Sequence, residues 1–204
     1  FTVAISLIYK VSPVQDILFL LSIVLIMTGL IIKFNNVTIG GIGLLIFTAY
    51  SYYNPFMNLL LVNVHTGDRL PFVIPKTLNF TDFALHQFNH ICRDWRQNQI
   101  KPMDQDLLRI LGKICDDNAE QNSPVIVQIL SGYRTHKTNE MLRRKSSLVA
   151  KDSYHIKGKA LDFRIPNVGL QQLKKSAQDH ASGGLGIYQN FIHIDTGPSR
   201  SWLI

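Results

Sequence analysis

A chain of 204 residues with 46% hydrophobic side chains can bury the core of one ordinary domain and carry an appendage, which excludes an intrinsically disordered protein. Its formal charge of +7 lies almost wholly beyond residue 56, because Lys10, Asp16 and Lys33 are the only charged groups before that point. A basic remainder admits nucleic acid, an anionic membrane surface or an anionic wall polymer as partner, and the lack of a nucleic-acid motif argues against the first.

Residues 14–32, VQDILFLLSIVLIMTGLII, and 37–53, VTIGGIGLLIFTAYSYY, are apolar stretches joined by KFNN. The first is long enough to cross a hydrocarbon core of roughly 30 Å. The second ends in Tyr50, Tyr52 and Tyr53, as interfacial anchors do. Neither has the polar face of a globular helix, so a membrane hairpin is expected over a pair of buried core helices. With Lys33 on the cytoplasmic side, the second span leads outward and residues 57–204 form an extracytoplasmic domain. The chain opens with Phe1 in an apolar run, FTVAISLI, which fits the tail of something longer.

From residue 57 the texture is that of a folded domain. MNLLLVNV and PFVIP are predicted strands around a turn at Thr66, Gly67 and Asp68. Helices are expected over 80–98, with Asn79 or Thr81 as cap, and over 103–118. VIVQIL, 125–130, is a predicted buried strand running into SGYRT; a short helix through TNEMLRRK follows, then a loop and the strand KALDFRI. GLQQLKKSAQDHA, 169–181, is a further helix, and LGIY and FIHID form a closing pair of strands. Cys92 and Cys115 occur without a CxxC, which excludes a zinc ribbon and a dense disulfide framework; two helix thiols are expected, with a single disulfide as the alternative.

His155, Asp162 and His193 match the count of a catalytic zinc, which takes three protein ligands and leaves one position open. If the strands of Asp162 and His193 are neighbours, alternation puts both side chains on one face, and Gly158 lets the preceding loop bring His155 over. Asp195 shares the face of His193, with Phe191 as a possible wall; it is placed either to orient a ligand or to accept a proton. Arg134, beside the glycine turn of SGYRT, suits a substrate carboxylate or the charge developing on an attacked carbonyl. Each residue has an ordinary alternative: a satisfied strand histidine, an Asp162–Arg164 ion pair, an Arg134–Glu140 ion pair. His86 and His90 have two-histidine spacing on a helix, but Gln87 stands where a zincin has Glu, so no metal is expected there. His65, His136 and His180 are expected at the surface or in turns.

In order, LVNVHTGDRL, CRDWRQNQIKPMDQDLL, SGYRTHKTNEMLRRKS, SYHIKGKALDFRIP, GGLGIY and FIHIDTGPSRSW resemble the bacterial murein endopeptidase K family, over about residues 57–204. That family stands with the zinc D-alanyl-D-alanine peptidases and the hedgehog-like group. The resemblance implies a compact α+β domain with a central antiparallel sheet, binding one Zn2+ and hydrolysing peptide cross-links of peptidoglycan. By position it assigns the zinc ligands to His155, Asp162 and His193 and a substrate or transition-state contact to Arg134. It implies a metal-activated water as nucleophile, with the metal and Arg134 stabilising the oxyanion.

The chain departs from the wider group in three places. Asn190 stands where several members carry an acid three residues before the last zinc histidine, which leaves Asp195 as the expected catalytic proton acceptor. The link between Tyr188 and Phe191 is short. The apolar hairpin replaces a cleavable export signal, so the expected place is the bacterial inner membrane, with the domain in the periplasm or facing the wall. Two alternatives remain: a carboxypeptidase or dipeptidase trimming stem peptides, and a zinc-binding, non-catalytic wall-binding module.

Overall fold

The structure is a computed structural model that describes residues 56–120 and 123–204. The expected spans at 14–32 and 37–53 lie outside the described residues, and among those described no helix is long and apolar enough to cross a membrane.

The chain enters β1 (Phe56–Asn63) and turns at Gly67, which takes a positive φ of 75°, into β2 (Arg69–Pro75). Two helices follow, α1 (Asp82–Ile91) and α2 (Gln105–Asp117), then β3 (Val125–Ser131) and α3 (His136–Arg143). A single 3-10 turn (Tyr154–Lys157) leads into β4 (Ala160–Arg164) and α4 (Leu170–His180). The chain closes with β5 (Gly184–Ile187), β6 (Ile192–Asp195) and β7 (Arg200–Leu203).

The seven strands among the described residues lie in one sheet, in the order β2-β1-β3-β4-β6-β5-β7. The centre, β3 to β5, is antiparallel as expected, but β1 pairs with β3 and β5 with β7 in parallel, so the sheet is mixed. The first parallel pair follows from the long crossover through β2, α1 and α2. The second arises because the chain, after the β5–β6 hairpin, returns to the free edge of β5.

Alternation along the strands separates core from site. Leu59 and Leu61, Val127 and Ile129, Leu161 and Phe163, and Ile192 and Ile194 are buried in one apolar cluster. Phe88 and Ile91 of α1, Leu107, Leu111 and Ile114 of α2, and Leu173 and Ala177 of α4 join the same cluster. Each large aliphatic side chain removed from water in this way stabilises the fold by about 1.5–3 kcal/mol. The intervening positions Asp162, His193 and Asp195 necessarily project from the opposite face.

The predicted helix over 80–98 ends early, at Ile91. The cause is the buried Asp94: its Oδ1 accepts from the N–H groups of Arg96 and Gln97, and its Oδ2 accepts from N and Oγ1 of Thr135, each at 2.8 Å. An aspartate that captures the next N–H groups gives the chain an alternative to the helix ladder. A short bridge between Asp94 and Gln99 completes the resulting loop. Cys92 and Cys115 are free, buried thiols, so the disulfide alternative is not adopted; burial raises both thiol pKa values.

Candidate metal centre

His155, Asp162 and His193 come together, all three buried, with one ligand atom from each lying within 4.8 Å of the others. The register explains part of this: Asp162 and His193 are directly opposed across β4 and β6. His155 arrives from the 3-10 turn, whose N-cap Ser153 accepts from the His155 N–H and whose end at Gly158 takes a positive φ of 70°. A side chain at 158 would also meet the Pro102 carbonyl oxygen at 2.6 Å.

The ring nitrogens are oriented from behind. His155 Nδ1 lies 2.7 Å from the Gly132 carbonyl, which can only accept, so Nδ1 carries the proton and Nε2 presents its lone pair towards Asp162. That Nε2 is 3.2 Å from Asp162 Oδ2. His193 presents Nδ1 to Asp162 Oδ1 at 2.7 Å and Nε2 to Asp195 Oδ2 at 3.0 Å. The outward nitrogens, Nε2 of His155 and Nδ1 of His193, therefore face the same carboxylate. Trp202 lies against the His193 ring, with centroids 5.2 Å apart.

Asp195 has no solvent exposure and accepts five hydrogen bonds. Oδ1 takes the N–H groups of Gly184 and Gly197 and Nη1 of Arg200; Oδ2 takes His193 Nε2 and, at 2.6 Å, Arg200 Nη2. These contacts suit the orienting role, one of the two open to Asp195 in the sequence. The carboxylate has both oxygens engaged, and it reaches His193 at the nitrogen facing away from Asp162. Nothing in FIHIDTGPSRSW marked Arg200 as the partner; the contact depends on β7, a strand the sequence did not suggest.

Arg134 stands beside the cluster. Its Nη2 donates to Asp162 Oδ2 at 2.8 Å, its Nε to Ser131 Oγ at 2.7 Å, and its backbone N–H to the His155 carbonyl. A register shift at the end of β3 between Ile129 and Ser131 turns the chain toward this position. Gly132 allows it, since a Cβ there would lie 2.5 Å from the Cys92 carbonyl oxygen. Glu140, the alternative partner of Arg134, pairs with Arg143 instead. Arg164 bonds Gln128 and not Asp162.

The electrostatics follow from these contacts. Burial, helped by the Arg134 charge, pushes the His155 pKa down to about 4. Asp162 is held well below the usual carboxylate range: burial opposes this, and the two histidines outweigh it. Burial also works against a charged His193, yet its hydrogen bonds to Asp162 and Asp195 raise it to about 9. Asp195 is likewise held low, against burial, by His193 and Arg200.

The donor set fits zinc. Two imidazoles and one carboxylate, each with its second polar atom held by the protein, are the ligands and outer contacts that such a site uses. Among the described residues these three form the sole group of at least three His, Cys, Asp or Glu residues placed to share an ion. His86 and His90 are exposed on α1 and join no such group. His65 is not isolated: it stacks on Trp95 with centroids 4.9 Å apart, and its Nε2 lies 3.0 Å from the Leu130 carbonyl oxygen. His180 pairs with Asp117, and His136 is exposed at the start of α3. Asn190 lines a cleft of about 380 Å3 with Gln128, Arg164 and Leu170. Phe191 stacks on Tyr188 across the short β5–β6 link, with centroids 4.2 Å apart.

A family described as peptidoglycan L,D-endopeptidase MepK matches residues 54–202, which takes in the whole site. The chain belongs to this family. It is 42% identical over 142 residues to the probable peptidoglycan L,D-endopeptidase MepK of Haemophilus influenzae, covering 69% of this chain and 75% of that protein. It is 40% identical over 146 residues to peptidoglycan L,D-endopeptidase MepK of Escherichia coli K12, covering 71% of this chain and 79% of the relative. The Shigella flexneri MepK matches to the same extent. No solved structure matches. Membership of the MepK family agrees with the ordered motifs of the sequence and with a mixed domain whose helices and sheet bracket one buried His, Asp, His cluster.

Proposed function

We propose that the chain is a zinc-dependent peptidoglycan endopeptidase that hydrolyses peptide cross-links, as the names of its MepK relatives describe for those proteins. The observation that carries this reading is the convergence of His155 Nε2, an Asp162 carboxylate oxygen and His193 Nδ1 in a chain of that family. A zinc ion held by these three groups would act as a Lewis acid and bring the pKa of a bound water toward about 7.

The protein's own residues supply the rest. Gly132 fixes the tautomer and orientation of His155, and Asp195 does the same for His193. Arg134 holds Asp162 through Nη2 while its Nη1, without a hydrogen-bond partner among the described residues, is free to donate to the oxygen of an attacked carbonyl. The N-terminal apolar stretches at 14–32 and 37–53 tether the enzyme to the inner membrane, with the domain on the wall side.

The test is zinc content and muropeptide release for the full chain and for His193→Ala. The expected result is about one zinc per wild-type chain with cross-link hydrolysis, and loss of both in the variant. Hydrolysis that persists without bound metal would overturn the reading.

The commitment of Asp195 favours a second reading. With Asn190 in the cleft beside Arg164, and both carboxylates that touch the histidines already engaged, a wall-binding module without turnover remains its rival. Wild-type protein that binds zinc and wall fragments and never cleaves them would select it.

A further inference from the structure

We propose that Arg96, presented on Trp95 in the loop joined to the Arg134 segment, is a binding subsite for a free carboxylate of the peptidoglycan stem peptide. The inference rests on the peptidoglycan reading above and adds to it a residue and a chemical group.

The loop between α1 and α2 is bolted to the segment that carries Arg134. Tyr133 N–H donates to the Cys92 carbonyl, Thr135 donates twice to Asp94 Oδ2, and Asp94 Oδ1 accepts the backbone N–H of Arg96. Asp94 thereby spends its hydrogen-bonding capacity on backbone groups and the Thr135 hydroxyl; its charge attracts the Arg96 guanidinium without a hydrogen bond between the two side chains.

Arg96 is instead held by a ring. Its guanidinium carbon lies 4.2 Å from the centroid of Trp95, which is 37% exposed and is itself backed by the stacked His65. Such stacking orients a guanidinium and leaves its hydrogen-bond donors unused. Among the described residues the Arg96 side chain has neither a salt bridge nor a hydrogen-bond acceptor. Burial of the guanidinium works against its charge, the Asp94 charge partly offsets this, and the charge of Arg134, already paired with Asp162, adds a smaller repulsion.

A partly desolvated arginine held on a half-exposed ring, with its side-chain donors unused, offers an incoming anion hydrogen bonds that no acceptor among the described residues takes up. Stem peptides carry free carboxylates near their peptide bonds, and a guanidinium fork matches a carboxylate with two parallel hydrogen bonds. Arg93, in the same loop, is not a second such subsite, because it is bonded to Asp68 at 2.8 Å.

The experiment uses the full-length, zinc-loaded protein and two forms of one cross-linked muropeptide, with its stem-peptide carboxylates free or amidated. Wild type is expected to turn over the free form with the lower KM. Arg96→Gln should raise KM for the free form by about 10–100-fold, with kcat, zinc content and the KM of the amidated form unchanged. Arg96→Lys, which keeps the charge without the fork, should fall between the two. An Arg96→Gln effect of equal size on both forms, or no effect on either, overturns the proposal. Wild type without turnover on either form removes the peptidoglycan reading itself, and the subsite with it.

Discussion

Asp162 and His193 face each other in the β4–β6 register, and Oδ1 of the first lies 2.7 Å from Nδ1 of the second. The two atoms that would bind a metal are thus within hydrogen-bonding distance of each other. For His193, burial is outweighed by two carboxylates, Asp162 and Asp195, which raise it to about 9; for His155, burial and the Arg134 charge outweigh the same Asp162 carboxylate at 3.2 Å and lower it to about 4.

Metal binding should therefore release a proton. At pH 7, below the His193 value of about 9, Nδ1 of the chelator-treated protein is protonated; His155, at about 4, is already neutral, and Asp162 is ionised. Only His193 must lose a proton to become a ligand. Titration calorimetry with zinc in buffers of different ionisation enthalpy should show about one proton released at pH 7. Apparent affinity should rise about tenfold per pH unit and level off above the His193 value. Affinity that does not change with pH between 6 and 8 would contradict this geometry.

Replacing Asp195 separates orientation from proton transfer. In Asp195→Asn the amide can donate to His193 Nε2, which shifts the ring proton to Nδ1, the atom needed for the metal. Zinc affinity should fall about 10–100-fold, with most of the turnover recovered at saturating zinc. If Asp195 is instead the proton acceptor, kcat falls about 10^2–10^4-fold with zinc affinity intact.

Gly132→Ala tests the backbone contact behind His155. A methyl group there would sit 2.5 Å from the Cys92 carbonyl oxygen, a backbone atom that cannot rotate away. The expected cost is about 1–3 kcal/mol in urea unfolding. Weaker zinc binding should accompany it, because the Gly132 carbonyl that fixes His155 Nδ1 moves.

Much of this architecture was readable in the pattern of residues. The alternation in KALDFRI and FIHID predicts both the core face and the shared site face, and β4 and β6 adopt it. What was not readable depends on partners distant in the chain. The helix expected to reach residue 98 stops at Ile91 because Asp94 meets Thr135, 41 residues away. The last strand, RSWL, is short, mostly exposed and preceded by Gly197 and Pro198, so it lacks the length and alternation that mark a strand. Without β7 beside β5 there was no reason to bring Arg200 to Asp195, and without Arg200 the carboxylate looked free.

Arg134 offers the sharpest test of the division between holding and reacting. Its Nε and Nη2 are spent on Ser131 and Asp162, and the side chain is 15% exposed, so it is held in one place. An arginine fixed in this way can keep Asp162 charged and still direct Nη1 at an oxygen that gains charge during the reaction. Lysine keeps the positive charge and one bond but cannot make the same pair of contacts and retain a donor for the oxygen. Arg134→Lys should therefore keep zinc content and fold near wild type while kcat drops about 10^2–10^3-fold, the size of a lost oxyanion contact. KM should change far less, since an interaction made only as charge develops does not contribute to binding the ground state. Turnover by Arg134→Lys at the wild-type rate would confine Arg134 to pairing with Asp162 and shift the stabilising role to another donor.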